Sequence, residues 1–191
     1  MSGLRQDERW TWEAYLDWEA RQPVRYELVD GRVYAMGGGT AAHDMISNNL
    51  RRELWSRLRG KPCRPHGPDL KVQAGRDGRY PDALVDCGPL VPDALYAQDP
   101  TAVFEVLSKS TAWIDQGLKL RDYDATPSVR YYVLISQDEL RTLIYERDDH
   151  GRLGIQSAKL LEGDGASIDL PELQLTIPFS ALYEGVEFPA R

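Results

Sequence analysis

Long apolar runs are missing from this chain. No stretch approaches the roughly 20 residues that a helix needs to cross a bilayer, so no membrane partner is expected. The first nine residues, Met1 to Arg9, are polar and charged, which does not fit a secretory signal. Cysteine is scarce: Cys63 and Cys87 are the only two, each alone in the sequence. That excludes a cysteine zinc cluster and argues for a reducing, cytoplasmic setting. There is no low-complexity tract and no internal repeat. A positive overall charge is also absent. The net charge of −7 argues against unspecific, charge-driven binding of nucleic acid. The distribution is uneven, however: Arg51 to Arg79 holds nine Lys/Arg against three Asp/Glu, a local +6. A basic face for a phosphate backbone and a solvated helix face followed by a loop both account for that.

What is present is the composition of a globular protein, with 42% hydrophobic and 28% charged residues. At 191 residues the chain is long enough for a core, and one domain spanning residues 1–191 is expected.

Turn and cap chemistry divides the chain. Thr11 caps a short helix with Trp12, Tyr15, Leu16 and Glu19 at helical spacing, and Pro23 ends it. Tyr26-Glu27-Leu28-Val29 meets Asp30-Gly31 and continues as Arg32 to Met36, a hairpin pattern. Gly37-Gly38-Gly39 is a hinge, Thr40 caps the next helix, and Gly60 stops it. The glycine loop lacks the Gly-Lys-Ser/Thr ending of a phosphate loop. His43, in the first turn, reads as a cap or packing residue. Asp69 to Gln73 alternates as a strand, and Gly75 to Gly78 reads as a turn. After Leu107, hydroxyls of Ser108, Ser110 and Thr111 offer caps for a helix whose apolar side takes Trp113, Ile114, Leu118, Leu120 and Tyr123. Val129 to Ile135 reads as a buried central strand with Leu140 to Tyr145 as its hairpin partner. Leu153 to Leu161, Leu173 to Ile177 and a short helix from Phe179 to Tyr183 complete a β-rich tail. A single sheet flanked by helices fits this order.

Two strand-like runs stand out because each carries one acid: Pro81-Asp82-Ala83-Leu84-Val85, and Ala102-Val103-Phe104-Glu105-Val106-Leu107. Paired side by side, they bring Asp82 and Glu105 together. Two such carboxylates repel until a divalent cation sits between them, and oxygen-only ligands suit Mg²⁺ or Mn²⁺ rather than zinc.

These residues and their order resemble the PD-(D/E)XK nuclease superfamily, and within it the Uma-type putative restriction endonuclease family of bacteria. The likeness rests on Tyr26 to Gly31, on Pro81-Asp82, on Phe104 to Ser108 with Ser110-Thr111, and on Asp115, Lys119 and Tyr123. It implies an α/β (α+β) restriction-endonuclease-like core: a mixed, four-stranded central sheet flanked by helices, an N-terminal hairpin and a β-rich C-terminal extension. It implies Asp82 and Glu105 as catalytic metal ligands and Glu27, brought in from the N-terminal hairpin, as a further catalytic and metal-binding carboxylate. The superfamily lysine belongs two residues after the glutamate, where this chain has Leu107; Lys119, on the following helix, takes that part. Lys109 stands where the family commonly has proline.

The expected activity is metal-dependent hydrolysis of DNA phosphodiester bonds by an endonuclease. Asp82 and Glu105 hold Mg²⁺ or Mn²⁺, the Val106 carbonyl adds a neutral ligand, and Lys119 orients the attacking water. A homodimer is expected, with Trp10, Trp12, Trp18 and the tail as contacts. The alternatives are an inactive nuclease-fold module that binds nucleic acid or protein, and a small-molecule phosphoesterase. Structural readings stand beside each residue: Asp82 as a turn cap, Glu27 as a solvent-facing strand residue, Glu105 as an ion-pair partner of Lys71 or Lys119, and Lys119 as the surface partner of Asp115.

Overall fold

Cap and turn residues place the first third of the chain. The structure is a computed structural model that describes residues 9–107 and 115–188, without the side chains of Asp115 and Gln116. The Thr11 hydroxyl accepts from Ala14 N–H and opens α1 (Trp12–Glu19). A cap of this kind is worth about 1 kcal/mol. Strands β1 (Tyr26–Val29) and β2 (Arg32–Ala35) pair antiparallel around Asp30-Gly31, whose φ values of 47° and 76° match the twist of a tight hairpin. Thr40 caps α2 (Ala41–Leu58), which buries Ile46, Leu50, Leu54 and Leu58 along one face. A short strand β3 (Arg64–His66) follows; its central proline and three-residue length hide it from a periodicity reading.

Strands β4 (Val72–Ala74) and β5 (Asp77–Arg79) turn at Gly75-Arg76 and pair antiparallel. The expected strand from Asp69 thus starts later, and the expected turn keeps Gly75-Arg76 while Asp77 and Gly78 are strand. These two join the N-terminal hairpin in a four-stranded antiparallel sheet, β2-β1-β5-β4. Trp12 and Tyr15 of α1 pack with Leu28 against it. Trp10 and Trp18 meet with tilted rings, centroids 5.1 Å apart, and Trp18 sits edge-on to Tyr26 at 4.8 Å. The three tryptophans expected as dimer contacts are therefore packed into this layer, because α1 folds back onto its own hairpin.

The main sheet is mixed and has six strands, in the order β10-β9-β8-β7-β6-β3. Its centre is β6 (Ala83–Asp86), β7 (Pro100–Leu107) and β8 (Tyr131–Ser136). β7 and β8 are parallel, and every other neighbouring pair is antiparallel. The sheet is wider than the four strands implied by resemblance, since β3 extends one edge and β9 (Arg141–Glu146) with β10 (Ala158–Glu162) the other. Among the described residues there are three sheets rather than one, the third being a hairpin of β11 (Ser167–Leu170) and β12 (Leu175–Pro178).

Burial on both faces of β7 explains its unbroken apolar run. Ala102, Phe104 and Val106 face α2, the β11–β12 hairpin and the short α4 (Phe179–Leu182). Val103 faces the opposite layer with Leu84, Tyr123, Tyr132 and Leu134. That layer includes a π-helical turn, Asp115–Lys119, running into α3 (Leu120–Asp124). Arg147 fastens the end of α3: its guanidinium donates to the carbonyls of Tyr123, Asp124, Thr126, Val129 and Gly151. The expected caps at Ser108, Ser110 and Thr111, Lys109, and the apolar Trp113 and Ile114 lie outside the described residues. So does the Asp115 side chain, and with it the expected Asp115–Lys119 pair.

Cys63 and Cys87 form a disulfide with a Cα–Cα distance of 4.1 Å, which corrects the reading of two lone thiols. Strand pairing is the cause. Arg64 lies opposite Asp86 in the β3–β6 ladder, so the next pair outward is residue 63 opposite residue 87. Sequence separation of 24 residues conceals that register.

Candidate active site

Asp82 immediately precedes β6, and Glu105 lies near the C-terminal end of β7. Their approach follows from register: Ala83 pairs with Phe104, so the next step places residue 82 opposite residue 105. At that step the ladder stops being backbone to backbone. The Asp82 carboxylate takes over, and Oδ2 accepts the Val106 N–H at 2.7 Å. The two acids of the sequence motif therefore stand side by side at the carboxyl end of the parallel β7–β8 pair, the end where open α/β sheets place their ligands.

Glu105 is only 5% exposed. An isolated carboxylate there would be costly, but Lys119 reaches across from the π-helical turn and its ammonium donates to Oε1 at 2.8 Å. The Tyr123 hydroxyl lies 3.4 Å from the same oxygen. Lys119 and Tyr123 are four residues apart and descend onto one face of this helical segment. Lys119 is thus buried against the site, with 9% exposure, rather than a surface residue. Lys71, the other cation considered for Glu105, pairs instead with Glu19 at 3.1 Å beneath Tyr15 and Tyr80.

Sequence reading missed His43. Its Nε2 lies 3.2 Å from Asp82 Oδ2, so α2 contributes to the site through its first turn. The hydrogen bond to Asp82 raises the imidazole pKa above its ordinary value, outweighing the opposing effect of burial. The signal was local but weak: a titratable residue in the first turn of a capped helix whose cap follows three glycines.

Glu27 occupies a neighbouring network. Oε1 accepts Tyr80 N–H at 3.0 Å, and Oε2 lies 3.2 Å from the Arg79 guanidinium. Arg79, 1% exposed, also makes two bonds to Asp122 Oδ2, at 3.0 and 2.5 Å. Burial would lower the Arg79 pKa, but Glu27 and Asp122 together raise it. Among the described residues, no group of three or more His, Cys, Asp or Glu side chains is placed to hold a metal ion. Beside this network a cavity of about 350 Å³ opens between the hairpin turn and α3, lined in part by Arg9, Asp30, Asp77, Arg121 and Asp122. Neither Asp82, Glu105 nor Lys119 lines it.

A mixed sheet with paired carboxylates and a buried lysine at the end of its parallel strands defines a nuclease-type fold. The crystal structure of a putative nuclease belonging to DUF820 from Anabaena variabilis superposes with a TM-score of 0.69, over 91% of this chain and 97% of that one, at 16% identity. Two uncharacterized proteins of Synechocystis sp. are similar in sequence. One is 34% identical over 182 residues, 92% of each chain, and the other 24% identical over 168 residues, 84% of this chain and 92% of the relative. Residues 12–178 match the family model Uma2, described as putative restriction endonuclease. The chain belongs to that family. No helix among the described residues is long and apolar enough to cross a membrane.

Proposed function

We propose that the protein is a metal-dependent endodeoxyribonuclease with Asp82, Glu105 and Lys119 as its catalytic residues. The observation that carries this is the convergence of both carboxylates and the buried ammonium at one end of β7. The donor set fits a hard cation. Oδ1 of Asp82 accepts no hydrogen bond among the described residues, and Mg²⁺ is commonly held by one or two carboxylates, with water and substrate phosphate filling the rest. Mn²⁺ shares that preference for oxygen. When bound, the ion supplies a Lewis acid for the phosphoryl oxygen and lowers the pKa of a coordinated water.

The chain's own groups do the rest. Lys119 places positive charge where negative charge grows on the phosphoryl group, and holds the attacking water in line. Alternation along β7 points the Val106 N–H and C=O to the same side, towards Asp82, so the carbonyl serves as the neutral donor. Glu27 enters as a support: by holding Tyr80 N–H and Arg79 it fixes the segment that delivers Asp82.

The family's description as putative restriction endonuclease supports DNA as the substrate. Cutting both strands of a duplex calls for two sites, so a homodimer goes with this reading. The edge strand β10, with Leu160 exposed and Ile155 just before it, offers the contact. A monomeric mass by light scattering at micromolar concentration would refute it. A cytoplasmic location also goes with the role, and there cellular thiols act on the Cys63–Cys87 bond.

A second reading is an inactive nuclease-fold interaction module. It is favoured by the engagement of Glu27 with Arg79, which leaves two carboxylates rather than three. Incubation with supercoiled plasmid, single-stranded DNA and RNA, each with Mg²⁺ or Mn²⁺, separates the two. The enzyme nicks or linearises plasmid and Asp82→Ala does not. A wild type inert towards all three substrates with both ions leaves the module.

A further inference from the structure

Asp82 has two unequal oxygens. Oδ2 is held twice, by the Val106 N–H at 2.7 Å and by His43 Nε2 at 3.2 Å, whereas Oδ1 accepts nothing among the described residues. A carboxylate pinned through one oxygen presents the other in a single direction. Removal of one pin leaves the backbone N–H alone, about which the carboxylate rotates.

The imidazole reaches Oδ2 because of what stands behind it. His43 N–H donates to the Thr40 hydroxyl at 3.2 Å, which sets the first turn of α2. The ring then lies back over Gly39. A Cβ at residue 39 would come 2.8 Å from His43 Nδ1, closer than real Cβ contacts come, and a tight 3.1 Å from Cγ. Gly37 and Gly38 have no atom within 4 Å of such a Cβ. Of the three consecutive glycines, only the third is required by the packing of this ring. Thr40 also donates its hydroxyl to Gln137 Oε1 at 2.9 Å, and Gln137 N–H bonds the Leu107 carbonyl, so the cap is tied to the strand ends that carry Glu105.

We propose that His43, admitted by Gly39, is the positioning residue of this site: its Nε2–H fixes Asp82 so that Oδ1 is the oxygen offered to the cation. The inference rests on the metal-nuclease reading and assigns to the glycine loop a packing role in place of a phosphate-binding one. Outer partners of metal-binding carboxylates typically change metal affinity by about 10–100-fold when removed.

The test is Mn²⁺ binding by calorimetry on wild type, His43→Ala, His43→Gln, Gly39→Ala and Gly38→Ala, with melting in EDTA as the measure of folding. His43→Ala and Gly39→Ala bind Mn²⁺ about 10-fold or more weakly while melting close to wild type. His43→Gln, whose amide places an N–H near the Nε2 position, recovers most of the affinity, and Gly38→Ala binds as wild type does. Gly39→Ala keeps the imidazole and only displaces it, so it carries the test if His43→Ala folds poorly. Wild-type affinity in His43→Ala, or Gly39→Ala and Gly38→Ala behaving alike, overturns the positioning role. If Asp82→Ala abolishes binding while His43→Ala keeps it, this inference alone falls. A wild type that takes up no Mn²⁺ removes the parent reading as well.

Discussion

Replacing Lys119 by methionine separates a structural ion pair from a metal site, because the two predict opposite responses to Mn²⁺. Lys119 and Glu105 are 9% and 5% exposed, with Nζ 2.8 Å from Oε1. Removing one member of a buried pair costs about 3–5 kcal/mol, since the remaining charge is left in a poorly solvated place. The Tyr123 hydroxyl stays near Glu105, which puts the loss at the lower end, about 3 kcal/mol. For a protein of this length 1 kcal/mol moves Tm by about 2–4 °C. Lys119→Met should therefore melt about 6–12 °C below wild type in EDTA. Methionine fills much of the lysine stem's volume, so the change reports charge more than packing.

Adding Mn²⁺ reverses the order of effect. With the ammonium gone, no cation from Lys119 competes for Glu105, and the variant gains more from the metal than wild type does. At a hundred times Kd the gain is about 2.7 kcal/mol, or about 5–11 °C. Plasmid cleavage by the metal-loaded variant nevertheless stays about 10²–10³-fold below wild type, the usual cost of losing one electrostatic donor. Differential scanning fluorimetry and a plasmid assay on the same samples read both quantities. Two results would refute the reasoning: a variant that melts with wild type in EDTA, or one that loses the Mn²⁺-induced rise that wild type shows.

Three further outcomes are expected. Arg79→Met, which strands Glu27 and Asp122, lowers unfolding free energy by about 3–5 kcal/mol in urea; a loss below about 1 kcal/mol, the scale of an exposed pair, contradicts the network. Cys63→Ser opens a covalent loop spanning 24 residues, which the loop-closure relation values at about 3.5 kcal/mol; dithiothreitol should weaken wild type to the same level and leave the variant unmoved, and a wild type indifferent to reductant would show that the bond does not form. Burial, and then the nearby Asp122, hold the Asp77 carboxyl above its ordinary pKa. The folded state thus binds that proton more tightly than the unfolded one, and stability falls as pH rises from the ordinary aspartate value through the raised one. Asp77→Asn removes this dependence and is the more stable form above that window; a variant that retraces the wild-type profile of Tm against pH excludes Asp77 as its source.

Local chemistry made much of the fold legible. Thr11, Thr40 and Asp30-Gly31 announce their caps and turn because the relevant bonds join residues two to four apart. The approach of Asp82 to Glu105 was legible because one acid leads into a short apolar run, the other lies within one, and the two runs pair. What escaped depends on register between distant segments. Three-residue strands such as β3 and β5 carry no periodicity. The Cys63–Cys87 bond appears only once β3 is laid against β6. The partner of Glu27 could not be read from an alternating hairpin, since Arg79 lies 52 residues away. His43 was misjudged for the same reason: its own helix explains the residue, while the carboxylate it meets arrives 39 positions later.

Part of the floor beneath α2 consists of late-made chain. Ile168, Leu170, Leu175, Ile177, Phe179 and Leu182 share its core, and Asn49 is moored to the Leu182 and Glu184 carbonyls. During synthesis Asp82, Glu105 and Lys119 emerge well before this support exists. A nascent chain stopped short of Ser167 carries both acids and the amine but can seat the helix that brings His43 only against β3, β6 and β7, without the packing of the β11–β12 hairpin and α4. Full packing behind the candidate site is thus coupled to the translation of a hairpin that contributes no chemical group to it.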